Sequence, residues 1–584
     1  TVLTVELAVP VRNVNGSRRN TVILHKSYNL DADVVYPSDR NMEESLSVGI
    51  APFIRIENPE YSDENRYTVQ LQYGTVGYKD ISLNFLSSGS KSPIDTTEVS
   101  TRGTSPTSVY YKFAGLVDAI SLSCKDGNDS AHPEVSGMII PKMPAFVNGA
   151  RKFFYSVDFG TTNTHIAFIS DEDNATAASF SEKEIAMQAV YLAKKPDMRA
   201  FIAQDRHEKI IDAMSKIYGE EGRSLAIAQG QQFFPNFAGT DYSFPIRTAV
   251  YEEQQISDNL FGKMSIGFRY HKELFRDSHY RTSIKWDLSA GRTQEAKDRA
   301  KMFFEELLLM IRTHWLSQPG SNLSETPVIM LTYPLAMANS SVLNEQWNSA
   351  YKRAFGASTA AKFMSMPESL APAQQLINRG AETVDGILNV DIGGGTTDIQ
   401  YYRATSGRPI ARYNSVLFAG DDLWGTGYEN VHDGNRAVPD NIFTRFARTE
   451  LGSSRLKIGY ENVELSRIRH TGKEFVNMLL RDQQRQFLNC ITESDNGNNL
   501  PRKVVMLHYA ALIYHIANWI KADPKMAEKF PSVINFTGFG SKYIEAIFGP
   551  DPSCDKLTLY TAELLKAFGI ENIPAGKRLL FASN

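Results

Sequence analysis

The chain has 584 residues, of which 42% are hydrophobic and 22% charged, and its formal net charge is −4. This length exceeds what one hydrophobic core serves, so several domains are expected. The near-neutral charge gives no electrostatic reason to expect nucleic acid or an anionic membrane surface as a partner. Three scattered cysteines exclude a disulfide framework and fit a reducing, cytoplasmic compartment.

No apolar run reaches the roughly 20 residues that span a bilayer, so no membrane segment is predicted within the chain. The sequence begins at Thr1 rather than Met, and we therefore expect a processed form or a fragment of a longer protein.

Residues 1–150 are predicted to form a β-rich N-terminal module. Short alternating segments, such as 67–73 and 109–113, lie between clusters of Gly, Ser, Asn and Pro, a pattern typical of antiparallel sheets. The Ser- and Thr-rich stretch 87–108 is predicted to be a long loop, and 141–149 a linker.

Residues 151–385 alternate between strand and helix patterns and are predicted to form one α/β lobe, with an insertion at about 190–290. Apolar residues at helical spacing predict a long helix over 293–316. The elements predicted after it are a strand at 327–332, a helix at 341–355, a strand at 361–366 and a helix at 368–379.

Residues 386–584 are predicted to form a second α/β lobe, with a helical insertion at about 426–530. Its first strand begins at Ile387, and a strongly apolar helix at 504–520 precedes a strand at 532–537. Each lobe opens with the same type of hairpin, which indicates repetition at domain scale.

The two hairpin motifs carry the clearest chemical signal. Residues 157–164 read VDFGTTNT and residues 390–398 read VDIGGGTTD, each between apolar strands. Glycines let backbone N–H groups approach an anion, threonine hydroxyls add donors, and the aspartate faces the water shell of a cation. Two such turns predict that one polyphosphate and its Mg²⁺ are held from opposite sides.

A third motif, FTGFGSK at 536–542, ends a strand and opens a predicted helix at 543–548. Its glycines allow a flat ring to lie against the backbone, and the helix start supplies free N–H groups. Beside two phosphate hairpins, this motif is predicted to bind the nucleoside.

The order of these motifs resembles that of the actin, Hsp70 and sugar-kinase superfamily of ATPases, over residues 152–584. Within it, the chain looks closest to Hsp70-like (DnaK-like) nucleotide-binding domains. IMLTYP at 329–334 is similar to their strand ending in a VPAY-like turn, ESLAPA at 368–373 to their connecting helix, and AGDD at 419–422 to their GGED turn. The resemblance implies a two-lobed fold with ribonuclease H-like lobes, preceded here by an all-β module.

The resemblance also implies a role for individual residues. Asp158 and Asp391 would hold hydrated Mg²⁺, with Asp398 nearby, and Glu368 would position the attacking water or the metal. Lys285, from the first insertion, would reach the γ-phosphate. The residues implied to bind ATP or ADP are Gly160, Thr161, Thr162, Gly393, Gly394, Gly395, Thr396, Thr397, Gly420, Asp421, Gly538, Gly540 and Ser541.

The expected function is that of an Hsp70-like protein that binds ATP, hydrolyses it slowly and uses lobe closure to switch a protein partner. The alternatives are an actin-like polymerising ATPase and a small-molecule kinase. An Hsp70 chaperone carries a peptide-binding domain and a lid after its ATPase, whereas this chain ends 43 residues after Ser541. We therefore expect a switch acting through residues 1–150 rather than an ordinary peptide chaperone.

Overall fold

The computed structural model describes 31 segments or single positions of the chain. They are residues 2–12, 19–29, 46–57, 67–73, 78–87, 93–96, 98–102, 107–113, 115–126, 134–141, 143–171, 178–179, 189–191, 245–253, 265–268, 280–282, 284–289, 291–334, 337, 340–356, 363–368, 370, 385–424, 441–452, 476, 479–480, 484–493, 500–549, 555–570, 573 and 578–581.

Every regular element described within residues 1–150 is a strand. The strands are β1 (Val2–Arg12), β2 (Arg19–Asn29), β3 (Leu46–Ala51), β4 (Tyr67–Tyr73), β5 (Tyr78–Leu86), β6 (Glu98–Arg102), β7 (Thr107–Phe113), β8 (Ala119–Asp126) and β9 (Glu134–Ile139). β1 and β2 form a hairpin, and β5, β8 and β9 form an antiparallel sheet in the order β5-β8-β9.

The other N-terminal sheet has the order β13-β3-β4-β7-β6, and its strand β13 (Ala189–Tyr191) comes from beyond residue 150. The prediction of a long loop over 87–108 is wrong in part, because β6 and the start of β7 lie inside it. Ser and Thr suit a strand whose partners supply its hydrogen bonds, and the register of β6 against β7 supplies them here.

The first α/β lobe contains a sheet in the order β12-β11-β10-β18-β19, with β14 attached to β11. Its strands are β10 (Phe153–Phe159), β11 (Asn163–Ser170), β12 (Ala178–Ser179), β14 (Ile246–Arg247), β18 (Val328–Tyr333) and β19 (Phe363–Pro367). β10 pairs antiparallel with β11 and parallel with β18. A smaller antiparallel sheet holds β15 (Ala249–Glu253), β16 (Ser265–Phe268) and β17 (Tyr280–Thr282).

Two long helices complete the first lobe. Thr293 caps α1 (Gln294–Ser317) by accepting a hydrogen bond from the Ala296 N–H, and Ser340 caps α2 (Ser341–Phe355) in the same way through Leu343. Both helices therefore begin close to their predicted starts. They pack on the face of the sheet formed by alternate β10 residues, which are Phe153, Tyr155, Val157 and Phe159.

The second lobe has a sheet in the order β22-β21-β20-β23-β24. Its strands are β20 (Ile387–Ile392), β21 (Thr397–Arg403), β22 (Ile410–Val416), β23 (Val533–Thr537) and β24 (Arg578–Phe581). β20 pairs antiparallel with β21 and parallel with β23, as β10 does with β11 and β18. The two lobes thus share one strand order around their opening hairpins.

The second lobe is richer in helices. They are α3 (Gly420–Trp424), α4 (Ile442–Gly452), α5 (Gln484–Glu493), α6 (Leu500–Ala522), α7 (Pro524–Ala527), α8 (Glu545–Phe548) and α9 (Asp555–Ala567). The helix predicted over 543–548 is different in detail, since a 3-10 helix, Phe539–Ile544, precedes the short α8. Of the connecting helix predicted at 368–379, only Glu368 and Leu370 lie within the described residues.

The N-terminal module is joined to the first lobe by buried contacts. Ile54 and Ile56 belong to the core of that lobe, although they precede residue 150, and the Tyr67 hydroxyl bonds to the main chain of both. Lys112 of β7 forms a buried ion pair with Glu305 of α1 at 2.9 Å. The module and the first lobe therefore share an interior.

Candidate functional site

The two motif hairpins occupy equivalent places in the two sheets. Asp158 lies opposite His165 near the turn of the first hairpin, and Asp391 lies opposite Asp398 in the second. The triple-glycine turn is closed by a hydrogen bond from the Gly393 N–H to the Thr396 carbonyl at 2.9 Å. Each hairpin thus ends in a glycine-containing turn with a carboxylate on its first strand, and the second hairpin has another on its return strand.

The tips of the hairpins meet each other across the lobes. A Cβ atom built on Gly394 would overlap the Thr162 side chain, and one on Gly395 would lie 2.8 Å from Thr161 Cγ2. Only glycine allows this approach, which accounts for a run of glycines that packs no side chain. The buried Thr162 hydroxyl has no hydrogen-bond partner among the described residues.

In the described part of the chain, one lysine lies among the carboxylates between the lobes. Lys285, in the 3-10 helix Ile284–Leu288, is buried and bonds to Glu368 at 2.6 Å. The Glu368 main chain is fixed by a hydrogen bond to the Tyr333 carbonyl at the end of β18. The charges of Asp158 and Asp398 also act on Glu368. The structure therefore brings together the lysine and carboxylates singled out in the sequence.

The carboxylates outnumber the positive charge, and their pKa values reflect this. Burial raises the pKa of Glu368 to about 8; Lys285 opposes the shift, and Asp158 and Asp398 add to it. Burial raises the pKa of Asp391 to about 7, with further contributions from Asp158 and Asp398. Burial also raises the pKa of Asp398. A cation placed here would relieve this repulsion.

Two threonine hydroxyls that the motif analysis left without a role contact the hairpin aspartates. Thr332 bonds to Asp158 Oδ1 at 3.2 Å, and Thr537 bonds to Asp391 Oδ1 at 3.1 Å. Each threonine lies on the parallel strand beside its aspartate. Only strand register brings these pairs together, so a motif search of single segments could not reveal them.

The glycines of the predicted nucleoside motif pack against the second hairpin. A Cβ on Gly540 would overlap the carbonyl oxygens of Ile392 and Gly393, and one on Gly538, whose φ is +79°, would overlap Asp391 Oδ1. The Ser541 hydroxyl bonds to the Gly538 carbonyl at 2.7 Å. In this structure these residues fix the motif to the hairpin, which is a packing role that the sequence did not indicate.

The turn at 419–422 lies against the same hairpin. The Gly420 N–H donates to the Gly393 carbonyl at 3.1 Å, and the Asp421 N–H donates to the Gly394 carbonyl at 2.7 Å. The Thr397 hydroxyl bonds to the Phe418 carbonyl at 2.6 Å. The second hairpin, this turn and the nucleoside motif therefore form one connected unit of backbone.

The donor set fits a hydrated Mg²⁺ rather than a directly ligated transition metal. Within the described part of the chain, no three His, Cys, Asp or Glu side chains are close enough to ligate one ion together. Carboxylates that act through waters suit Mg²⁺, which keeps much of its hydration shell in nucleotide sites. The buried Asp398 Oδ1 and Thr162 Oγ1, both without a described partner, add polar atoms suited to waters or phosphate oxygens.

Solved structures to which the chain is similar include MreB 5 of Spiroplasma citri bound to AMPPNP, at 13% identity over 72% of this chain and 96% of that one, with a TM-score of 0.28. A pCBH ParM non-polymerisable quadruple mutant matches at 13% identity over 74% and 95%, with a TM-score of 0.32. Ta0583, an archaeal actin homolog, matches at 11% identity over 71% and 98%, with a TM-score of 0.29.

TM-scores this low establish neither a shared fold nor a shared function. No protein-family model matches the chain, and no curated protein matches it. None of the described helices combines the length and the apolar character that crossing a membrane requires.

Proposed function

We propose that the chain binds Mg-ATP between its two hairpins and hydrolyses it slowly. The observation that carries this proposal is that four carboxylates, from two lobes of the same strand order, lie around Lys285. They are Asp158, Glu368, Asp391 and Asp398. Such an excess of buried carboxylate is unfavourable in an empty site and becomes favourable beside a cation.

The hairpin turns would hold the phosphates. Glycines in such turns let backbone N–H groups approach an anion. Thr162 adds a buried hydroxyl without a described partner. Because Thr161 and Thr162 belong to one lobe and Gly394 and Gly395 to the other, a polyphosphate here would touch both lobes. Its affinity would then depend on how far the lobes are closed.

The catalytic roles follow from position. Lys285 lies in a buried 3-10 helix and is paired with Glu368. It would place a positive charge beside the transferred phosphoryl group, where negative charge develops. Glu368 would orient the attacking water, and Asp398 would assist. Bound Mg²⁺ would supply charge neutralisation on the phosphate oxygens. Since this chemistry is largely positioning, slow turnover is expected.

An exposed apolar face on α6 favours a function in which nucleotide binding controls association with another protein molecule. Leu500, Leu507 and Tyr514 are large apolar side chains exposed at intervals of seven residues along α6, and so lie on one face of that helix. Such a face suits the actin-like assembly alternative and equally an Hsp70-like switch on a protein partner. No feature of the described residues favours the small-molecule kinase alternative.

The primary test is titration calorimetry of the purified chain with ATP and ADP, with Mg²⁺ and with EDTA, alongside phosphate release. Mg²⁺-dependent binding with slow release is the expected result. Absence of binding in both conditions would overturn the proposal. Light scattering of the same samples separates actin-like assembly from an Hsp70-like switch. Particles that grow when nucleotide is added indicate assembly, and particles of constant size favour the switch on another protein.

A further inference from the structure

Two threonines outside the glycine-rich turns occupy equivalent positions in the two lobes. Thr332 is the register partner of Asp158 across β10 and β18, and Thr537 is the register partner of Asp391 across β20 and β23. Both strand pairs are parallel and both threonines are largely buried. Register partners project to the same face of a sheet, so each hydroxyl is brought beside its carboxylate.

In both lobes the hydroxyl contacts one carboxylate oxygen, Oδ1, at 3.2 Å for Thr332 and 3.1 Å for Thr537. Thr332 Oγ1 also lies 3.4 Å from the Val157 carbonyl, a longer contact that leaves Asp158 as the closer acceptor. In the second lobe, Asp391 Oδ1 is further enclosed by Gly538, where a Cβ would overlap it.

A hydrogen bond to one oxygen fixes the rotation of the carboxylate about its Cβ–Cγ bond. The second oxygen, Oδ2, then keeps its lone pairs in a constant direction. For carboxylates that act on a cation through its water shell, this orientation decides whether both can serve the same shell. Partners of this kind typically contribute about 10- to 100-fold to metal affinity.

We propose that Thr332 and Thr537 are a matched pair of positioning residues that aim Asp158 and Asp391 at one hydrated Mg²⁺ in the nucleotide site. The proposal rests on the proposed function, since it requires that Mg-ATP binds between the hairpins. It goes beyond that function because it assigns a positioning role to two residues, one from each lobe, that lie outside the turns of the two hairpins.

The test replaces each threonine with valine, which keeps the β-branched shape and removes only the hydroxyl. Calorimetry with ATP is carried out in Mg²⁺ and in EDTA for Thr332→Val, Thr537→Val and the double variant. Each single variant is expected to need about tenfold more Mg²⁺ for half-maximal gain in ATP affinity. The double variant should need more than either, and ATP affinity in EDTA should stay at the wild-type value.

Two further sets of variants separate positioning from structure. Thr332→Ser and Thr537→Ser keep the hydroxyl and should restore the wild-type Mg²⁺ requirement. Thr561→Val removes a buried hydroxyl that bonds within α9 and to Tyr509 in the same lobe as Thr537. It should lower the melting temperature without changing the Mg²⁺ requirement.

The possible failures are distinct. If the wild-type chain shows no Mg²⁺-dependent ATP binding, the proposed function itself is wrong. If wild type shows it and both valine variants retain the wild-type Mg²⁺ requirement, the positioning roles are wrong. Equal losses of ATP affinity in Mg²⁺ and EDTA would mean that the threonines act on structure alone, which also overturns this inference.

Discussion

At the scale of single residues, Asp391 combines burial with repulsion from two neighbouring carboxylates, so that its pKa is raised to about 7. The ionised side chain is therefore unfavourable in the ligand-free chain. Replacing it should remove a functional group without weakening the fold, which is the pattern expected of residues selected for a ligand.

We predict that Asp391→Ala abolishes Mg²⁺-dependent phosphate release while the melting temperature of the ligand-free chain stays the same or rises. The matched control is Asp385→Ala, which removes a carboxylate two residues before β20 whose ion pair with Lys529 lies at the surface. Phosphate-release assays and thermal melts of both variants give the answer. Hydrolysis by Asp391→Ala at the wild-type rate would exclude the metal role of this aspartate.

His508 offers a separate test, by pH. It stacks on Phe418 with ring centroids 4.2 Å apart and meets Tyr543 edge-on at 4.9 Å, and burial lowers its pKa to about 4. The unfolded chain takes up a proton near pH 6.5, whereas the folded chain resists protonation down to about pH 4. The neutral His508 side chain therefore makes its full contribution to the free energy of unfolding above pH 6.5. This contribution is lost as the pH falls toward 4.

We predict that the difference in unfolding free energy between wild type and His508→Phe changes by about 3 kcal/mol between pH 7 and pH 4, in favour of the variant at low pH. Taking the difference removes the opposite contributions of the buried carboxylates, which both proteins share. Urea unfolding at a series of pH values measures it. A constant difference across this range would mean that His508 is protonated in the folded chain.

At the scale of elements, backbone contacts help to hold the turn of the second hairpin. Gly393 accepts a hydrogen bond from the Gly420 N–H, and Gly540 packs against the carbonyls of Ile392 and Gly393. Because backbone cannot yield as a flexible side chain does, a Cβ at Gly540 must displace the hairpin itself. From sequence alone, a β-branched residue at 540 would be expected to weaken adenosine binding far more than folding.

We predict instead that Gly540→Val lowers the free energy of unfolding of the ligand-free chain by about 2 kcal/mol or more, and weakens ATP binding as well. Gly407→Val is the control, because a Cβ there meets no atom within 4 Å. Urea unfolding and calorimetry are run on both variants. Wild-type stability combined with lost ATP binding would show that Gly540 lines the nucleoside pocket rather than supporting the hairpin.

The sequence predicts best those elements whose residues are recognisable locally, without knowledge of their tertiary contacts. The period of α1 and the caps Thr293 and Ser340 fix helices from local residues, and the buried strand at 533–537 was found between a helix and a glycine motif. The strand β6 was missed because its Ser and Thr residues resemble a loop until the pairing with β7 is known.

The same limit applies to the candidate site, because only its contiguous motifs are recognisable in the sequence. The hairpin aspartates and glycines are visible because each motif is contiguous, and Lys285 and Glu368 were found only through the resemblance to a family. Thr332 and Thr537 act through strand register, and Lys112 acts through a contact with a helix almost 200 residues later. Interactions of this kind depend on tertiary packing, which no local pattern encodes.

At the scale of the whole molecule, a buried ionic cluster joins the N-terminal module to the first lobe. Glu305, in the middle of α1, bonds to Lys112 of the module at 2.9 Å and to Arg353 of α2 at 3.0 Å. Burial would raise the pKa of Glu305, but Lys112 and Arg353 hold it below its ordinary value. The carboxylate is therefore charged and depends on both partners.

The same helix supports the first hairpin, since Phe303 and Phe304, next to Glu305, pack against Phe159 at the end of β10. The module is thus anchored one and two residues away from the side chains that pack against Phe159, directly before the turn carrying Gly160 and Thr161. We therefore expect the module and the first lobe to unfold as one cooperative unit.

We predict that Lys112→Met lowers the free energy of unfolding by about 3 kcal/mol, because it leaves Glu305 buried with a single cationic partner. Lys566→Met is the control, since it removes an exposed ion pair with Glu563 and should cost under about 0.5 kcal/mol. Calorimetric scans of the ligand-free chain should show the destabilised transition of Lys112→Met as one peak that contains both module and lobe. A separate early peak for the module, with the remaining transition unchanged, would show that the module folds independently and that the ionic cluster does not couple it to the hairpin.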